Sequence, residues 1–185
     1  MQCAGILLTG GGSRRMGRDK AGIVVGGQTL AVRTARVLSR VASPCVEVGA
    51  GLSGLHAVCE DPPGRGPLVA LAVGVAALPP GADALVVSCD LPLLSPEALQ
   101  WLASYPAAGT VVPLREGRGQ PLCARWSGAD LAAVAGLVAG GARSMGALLD
   151  RSDAVLVAPP SPLADAFEDV DTPEQLARIA GIDST

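Results

Sequence analysis

Ala4-Gly-Ile-Leu-Leu-Thr-Gly-Gly-Gly-Ser-Arg-Arg-Met-Gly-Arg-Asp-Lys20 begins as an apolar run and breaks into three consecutive glycines. Residues 4–9 read as a strand buried on both faces, because no polar residue alternates with the apolar ones. The glycines then let backbone amides approach a phosphate or a base closely. Arg15 and Lys20 supply positive charge for a polyphosphate, the arginine through a forked guanidinium. Four basic residues within the eleven positions Gly10–Lys20 are more than a plain turn needs. Two better-known phosphate loops fail on inspection. A dinucleotide fingerprint needs a third glycine where Arg15 stands, and a P-loop needs Gly-Lys-Ser/Thr where Gly17 is followed by Arg18 and Asp19.

Outward from this stretch, short apolar runs alternate with helical patterns. Residues 28–41 predict a helix: Leu30, Thr34, Val37, Leu38 and Val41 share one face, and Arg33, Arg36 and Arg40 another. Cys45–Val48 and His56–Cys59 read as strands, and a Gly/Pro-rich loop (Asp61–Pro67) leads into a small-residue helix over 68–78. Ala84–Cys89 is the clearest buried strand; it stops at Asp90, and Ser95 caps a helix over 96–104. Residues 110–114 and 122–126 flank a Gly/Arg turn and predict an antiparallel pair. Helical stretches at 129–138 and 144–151 precede a strand at 154–157, and a last helix starts at Pro173 behind its cap, Thr172. The alternation predicts an α/β fold with a mostly parallel sheet, in one domain spanning 1–185, with ligands outside the carboxyl ends of the strands. The glycine loop and Asp90 both fall at that edge.

Composition excludes several classes of protein. The chain has 185 residues, 49% of them apolar and 17% charged, which is enough for a full core. A net charge of −3 without a basic run argues against nucleic acid and anionic membrane as partners. No apolar run reaches the ~20 residues of a membrane span. The first residues lack the basic segment of a signal peptide, so the cytosol is the expected compartment. Cys3, Cys45, Cys59, Cys89 and Cys123 are odd in number and lack Cys-x-x-Cys spacing, as reduced, mostly buried cysteines do. The lone histidine, His56, has no partner for a zinc site.

Ser88-Cys-Asp-Leu-Pro92 places a carboxylate, Asp90, where Mg²⁺ would join one or two carboxylates to substrate phosphates. In Phe167-Glu-Asp-Val-Asp-Thr-Pro173, Asp169 and Asp171 alternate on an extended segment and face the same way. They either complete a metal site with Asp90, contact an acceptor, or serve only as a helix entry.

Leu8-Thr-Gly-Gly-Gly-Ser-Arg-Arg-Met-Gly17 with Lys20, Asp61 with Gly66-Pro-Leu68, Cys89-Asp-Leu-Pro92 and Asp169-Val-Asp-Thr-Pro-Glu-Gln-Leu176 occur in the order and spacing of the molybdenum cofactor guanylyltransferases. The resemblance runs from residue 4 to about residue 180. It implies a Rossmann-like three-layer nucleotidyltransferase fold with a small antiparallel part. The implied reaction joins GMP from GTP to the terminal phosphate of molybdenum–molybdopterin, releasing pyrophosphate. By the same resemblance Leu8, Thr9, Gly10 and Gly11 hold the nucleotide, Lys20 and Asp61 lie at the GTP site, and Asp90 binds Mg²⁺. Arg15, Gly66, Asp169 and Asp171 would lie toward the triphosphate and the pterin. Partners in molybdopterin delivery and molybdoenzyme maturation are implied with it. Gly10 favours GTP, since related cytidylyltransferases tend to carry Ala there. The chain departs from the pattern at Gly49 (often Asn), Gln120 (often His) and Asp169 and Asp171 (Asn in some relatives). A cytidylyltransferase and a non-catalytic nucleotide-binding module are the rival readings; the failed fingerprint disfavours an NAD-dependent dehydrogenase.

Overall fold

The structure, a computed structural model, describes residues 3–10 and 20–182. Strand β1 (Ala4–Leu8) is followed by a short hairpin, β2 (Val24–Val25) and β3 (Gln28–Thr29), and by helix α1 (Leu30–Leu38). Then come β4 (Cys45–Val48), β5 (His56–Val58), α2 (Pro67–Ala76), β6 (Ala84–Ser88) and α3 (Pro96–Ser104). The second half holds β7 (Val111–Arg115), β8 (Arg118–Gly119), β9 (Cys123–Trp126), α4 (Gly128–Ala132), α5 (Val134–Ala139) and α6 (Met145–Leu149). Strand β10 (Val155–Val157), α7 (Ser161–Ala164) and α8 (Pro173–Ile182) complete it.

The main sheet has the order β10-β7-β9-β6-β1-β4-β5, with β8 paired to β7. β1 lies between β6 and β4, parallel to β6 (Leu7↔Val87) and to β4 (Leu7↔Glu47). β9 is antiparallel to both neighbours. The sheet is mostly parallel with a small antiparallel part, as expected.

Helices cover both faces. Leu7, Leu85 and Val87 pack with Leu38, Leu99, Leu102 and Phe167 on the α1/α3 side. Ile6, Leu8, Ala84 and Val86 pack with Leu68, Leu71, Trp126, Leu131 and Leu148 on the other. Alternate residues of β1 and β6 therefore enter opposite cores, which is why neither strand carries a polar face. Trp126 and Phe167 are fully buried and each anchors one layer.

Several boundaries move. The helix expected over 28–41 begins at Leu30, because Gln28 and Thr29 pair with Val25 and Val24 across the Gly26-Gly27 turn. Thr29 then caps it, its hydroxyl oxygen accepting the Val32 N–H at 3.3 Å. The stretch 129–138 is two helices that share a cap at Ala133. The expected antiparallel pair forms through Val111↔Arg125, while the Gly/Arg turn closes a separate hairpin, Leu114↔Gly119.

One buried cation holds the second half together. The Arg125 guanidinium donates to the carbonyls of Ala103 (2.9 Å), Tyr105 (3.0 Å), Ala107 (2.5 Å) and Gly109 (3.0 Å). It thereby closes the connection from α3 to β7.

Candidate active site

The carboxyl ends of β1, β4 and β6 converge on one edge of the sheet, beside the first residues after the glycine loop. Lys20 opens a single 3₁₀ turn there (Lys20–Gly22). Its ammonium donates to Asp171 Oδ1 at 2.7 Å and to Asp90 Oδ2 at 3.2 Å. The Lys20 side chain is 16% exposed and Asp90 21%, so both pairs are partly shielded from solvent. The other oxygen of Asp90 accepts the Ser88 hydroxyl at 2.6 Å, and its backbone carbonyl accepts the Val170 N–H at 2.9 Å. Val170 is buried with Ile23 and Leu30, which fixes the segment carrying Asp169 and Asp171 against the end of β6. Asp171 and Thr172 are anchored in turn by Gln175, whose side-chain oxygen accepts both of their N–H groups.

The electrostatics follow from this crowding. Burial alone would lower the Lys20 pKa, but its bonds to Asp171 and Asp90 outweigh that and hold the ammonium above its ordinary range. Burial raises the Asp169 carboxyl, and the nearby charges of Asp90 and Asp171 push it further the same way. An ammonium lies between Asp90 and Asp171, and among the described residues no three acidic, His or Cys side chains converge as a metal cage. The completed carboxylate site considered for Asp90, Asp169 and Asp171 is thus not formed. A single oxygen-donor carboxylate at a strand end still suits Mg²⁺, which keeps several waters and takes its remaining ligands from phosphates.

The base of the loop is held differently. Thr9 N–H and Gly10 N–H both reach the Val48 carbonyl, at 3.1 and 3.4 Å, and the Leu8 carbonyl accepts Cys89 N–H at 3.2 Å. Leu8 is thereby committed to the sheet. The carbonyls of Thr9 and Gly10 accept no hydrogen bond among the described residues. The Thr9 hydroxyl donates to Glu47 at 2.7 Å. Gly49, at φ +155°, lies against that hydroxyl: a Cβ there would be 1.9 Å from Thr9 Oγ1. The side chain common at this position in the resembled family has no room here.

Asp61 lies in the exposed loop before α2, and among the described residues no hydrogen bond or ion pair joins it to Lys20, Asp90 or Asp171. Gly66 caps α2 at φ +111°, where a Cβ would meet the Arg143 carbonyl at 2.8 Å. Its glycine is thus explained by close backbone approach, which holds the loop 61–66 onto the start of α6. Gly11 and Arg15 lie outside the described residues. Two contributors escaped the sequence reading: Ser88, which orients Asp90, and Glu47, an acid inside an apolar strand.

A doubly covered, mostly parallel sheet with a glycine loop, a lysine and a strand-end aspartate at its carboxyl edge defines a nucleotidyltransferase. The chain belongs to the MobA-like NTP transferase family, whose domain matches residues 5–169. It is 41% identical over 172 residues to a probable molybdenum cofactor guanylyltransferase of Mycobacterium avium, covering 83% of this chain and 84% of that protein. It is 32% identical over 186 residues to the molybdenum cofactor guanylyltransferase of Rhodobacter capsulatus, covering 96% and 95%. Among solved structures, it resembles the molybdopterin-guanine dinucleotide biosynthesis protein A of Archaeoglobus fulgidus (TM-score 0.80, 20% identity, 98% of each chain). It also resembles the 2-C-methyl-D-erythritol 4-phosphate cytidylyltransferase of Thermus thermophilus (TM-score 0.70, 20% identity, 100% of each chain). These last two likenesses concern the fold. No helix among the described residues is long and apolar enough to cross a membrane.

Proposed function

We propose that the protein transfers GMP from GTP to the terminal phosphate of a molybdopterin cofactor, forming the guanine dinucleotide and pyrophosphate in the cytoplasm. The observation that carries this reading is the Lys20 ammonium bonded to Asp90 and Asp171 beside the Thr9–Gly10 turn. The names of the relatives supply the acceptor.

The acceptor phosphate is already an anion at neutral pH, so attack on the α-phosphorus of GTP needs no general base. The work left for the protein is to align the two phosphates and to offset the charge that builds on the departing pyrophosphate. Lys20, held fully protonated by its carboxylate neighbours, is one such cation, and Arg15 is the second on this reading. A Mg²⁺ held by Asp90 would neutralise phosphate charge when bound. On this reading Asp61 and Gly11 belong to the nucleotide site, and Gly66, Asp169 and Asp171 serve the triphosphate and the acceptor. The carbonyls of Thr9 and Gly10, which accept no hydrogen bond among the described residues, would suit guanine, whose pairing edge offers N1–H and N2–H donors side by side.

The test is pyrophosphate release from purified protein with Mg²⁺, molybdenum–molybdopterin and each nucleoside triphosphate in turn. Release with GTP alone is expected. Release with CTP alone would overturn the base assignment, and tight binding without release would leave a nucleotide-binding module.

A further inference from the structure

Glu47 plays no part in the chemistry above, yet its carboxylate is fully buried and densely bonded. Oε1 accepts the Thr9 hydroxyl at 2.7 Å, Gly51 N–H at 2.9 Å and Leu52 N–H at 3.0 Å. Oε2 accepts Ser53 N–H at 2.8 Å and the Ser53 hydroxyl at 2.5 Å. Neutral donors meet the charge; no lysine or arginine is paired with it among the described residues. If packing alone mattered, a valine like its neighbours Val46 and Val48 would fill this strand position without the desolvation of a carboxylate. What the carboxylate adds is connection. Oε1 joins the end of β1 to the crossover that follows β4, and Oε2 closes that crossover at Ser53.

Three further contacts make the same edge rigid. Gly49 leaves no space beside the Thr9 hydroxyl, its N–H reaches the Val58 carbonyl at 2.9 Å, and its carbonyl accepts the Cys59 thiol at 2.7 Å. The ends of β1, β4 and β5 form one lip, with the Thr9 hydroxyl and Glu47 as the buried link. The N–H groups of Thr9 and Gly10 are both turned onto Val48, and their carbonyls accept no hydrogen bond among the described residues.

We propose that Glu47 is a positioning residue for the nucleotide: through the Thr9 hydroxyl it holds the Thr9–Gly10 turn in the orientation that receives the base. The proposal rests on the reading that this turn receives the nucleotide. Glu47→Gln keeps the shape but points an amide NH₂ at donors. With the full-length protein, the KM and Kd for GTP should rise about tenfold or more, as when one partner of a buried charged hydrogen bond is removed. The kcat at saturating GTP and the KM for the acceptor should stay near their wild-type values. Thr9→Val, which removes the same hydroxyl, should give the same shift, and the double variant should add little to either. Ser53→Ala removes the hydroxyl donor to Oε2 and the acceptor of the Leu55 N–H, keeps the Ser53 N–H bond to Oε2, and should lower the melting temperature while leaving the KM for GTP in place. A merely structural Glu47 predicts the opposite pattern: less active protein, with KM unchanged. Should Glu47→Gln fail to fold, Thr9→Val decides, and a folded Thr9→Val protein with wild-type affinity for GTP overturns the proposal. A wild-type protein that binds no nucleoside triphosphate overturns both the functional reading and this proposal, and shows itself before any variant is made.

Discussion

Replacing Gly49 by alanine tests the geometry of the sheet edge without reference to any ligand. The new methyl would lie 1.9 Å from Thr9 Oγ1 and 3.2 Å from the Gly10 nitrogen. Thr9 Oγ1 must retreat by about 1 Å or more to reach ordinary contact, and it cannot do so while bonded to Glu47. Breaking that bond, 2.7 Å long and shielded from water, costs about 1.5–3 kcal/mol, the range for a hydrogen bond to a charged group. Alanine at the φ of +155° adds strain on the order of 1–3 kcal/mol. Together these remove about 2.5–6 kcal/mol from a native state that is stable by only about 5–15. For a chain of this length the melting temperature should fall by about 5–24 °C, followed by near-ultraviolet circular dichroism. Thr9→Ala removes the hydroxyl that the methyl strikes. The two substitutions should therefore be non-additive by about 1.5–3 kcal/mol, the double variant costing what Thr9→Ala costs alone plus the backbone strain. A fall of less than about 2 °C for Gly49→Ala, or a strictly additive cycle, would refute the contact argument.

Other expectations concern charge. On the proposed function, Asp90→Ala should abolish pyrophosphate release while leaving the circular dichroism spectrum and melting curve close to wild type; a wild-type rate would remove Asp90 from the chemistry. Burial, with Asp90 and Asp171 nearby, keeps the Asp169 proton on to higher pH in the folded protein than in the unfolded chain. Its ionisation therefore costs stability: nothing below the ordinary carboxylate range, more as pH rises through the raised value, and the full amount above it. Asp169→Asn should match wild type in acid and exceed it at neutral pH in urea midpoint, and a pH-independent difference would contradict this. Arg125→Met leaves four carbonyls of the 103–109 connection without their donor and should cost about 3–5 kcal/mol. Amide exchange should quicken first in 103–109, and a uniform change across the chain would argue against a local clamp.

The parts of the fold that were legible in the sequence are those set by local apolar patterning. β1 and β6 carry unbroken apolar runs because each side of the sheet is covered, and that is visible in Ile6-Leu7-Leu8 and Leu85-Val86-Val87. The β2–β3 hairpin was absorbed into the next helix, because a two-residue strand has no period of its own and Leu30 already begins the helical one. Lys20 and Asp171 stand 151 positions apart, so no local pattern could show their ion pair; only the motif spacing shared with relatives placed both at one site. Glu47 was missed for a physical reason. Cys45–Val48 read as a strand, but nothing in those four residues shows that the crossover at 51–53 folds back over Glu47 and seals its carboxylate. Alternation reports which residues differ from their neighbours; it does not report whether water reaches them.

The charge inventory at the sheet edge bears on how a nucleotide could enter. Asp90 and Asp171 share one ammonium, Lys20, so the described part of the site carries a net negative charge even with Asp169 protonated, and a larger one once Asp169 ionises. A triphosphate brought to it alone would meet repulsion of a few kcal/mol at the effective dielectric of a partly buried site. On the proposed function, the missing positive charge has two sources: the cation that accompanies the nucleotide, and Arg14, Arg15 and Arg18 in the stretch before Lys20. Thr9 and Gly10, by contrast, are held by neutral bonds and one buried carboxylate among the described residues. Affinity at the phosphate end should therefore depend on cation and ionic strength. On the proposed function, discrimination between bases should not, because the Thr9–Gly10 backbone is tied to the end of β4 by the Val48 carbonyl and the buried Glu47 rather than by exposed charges.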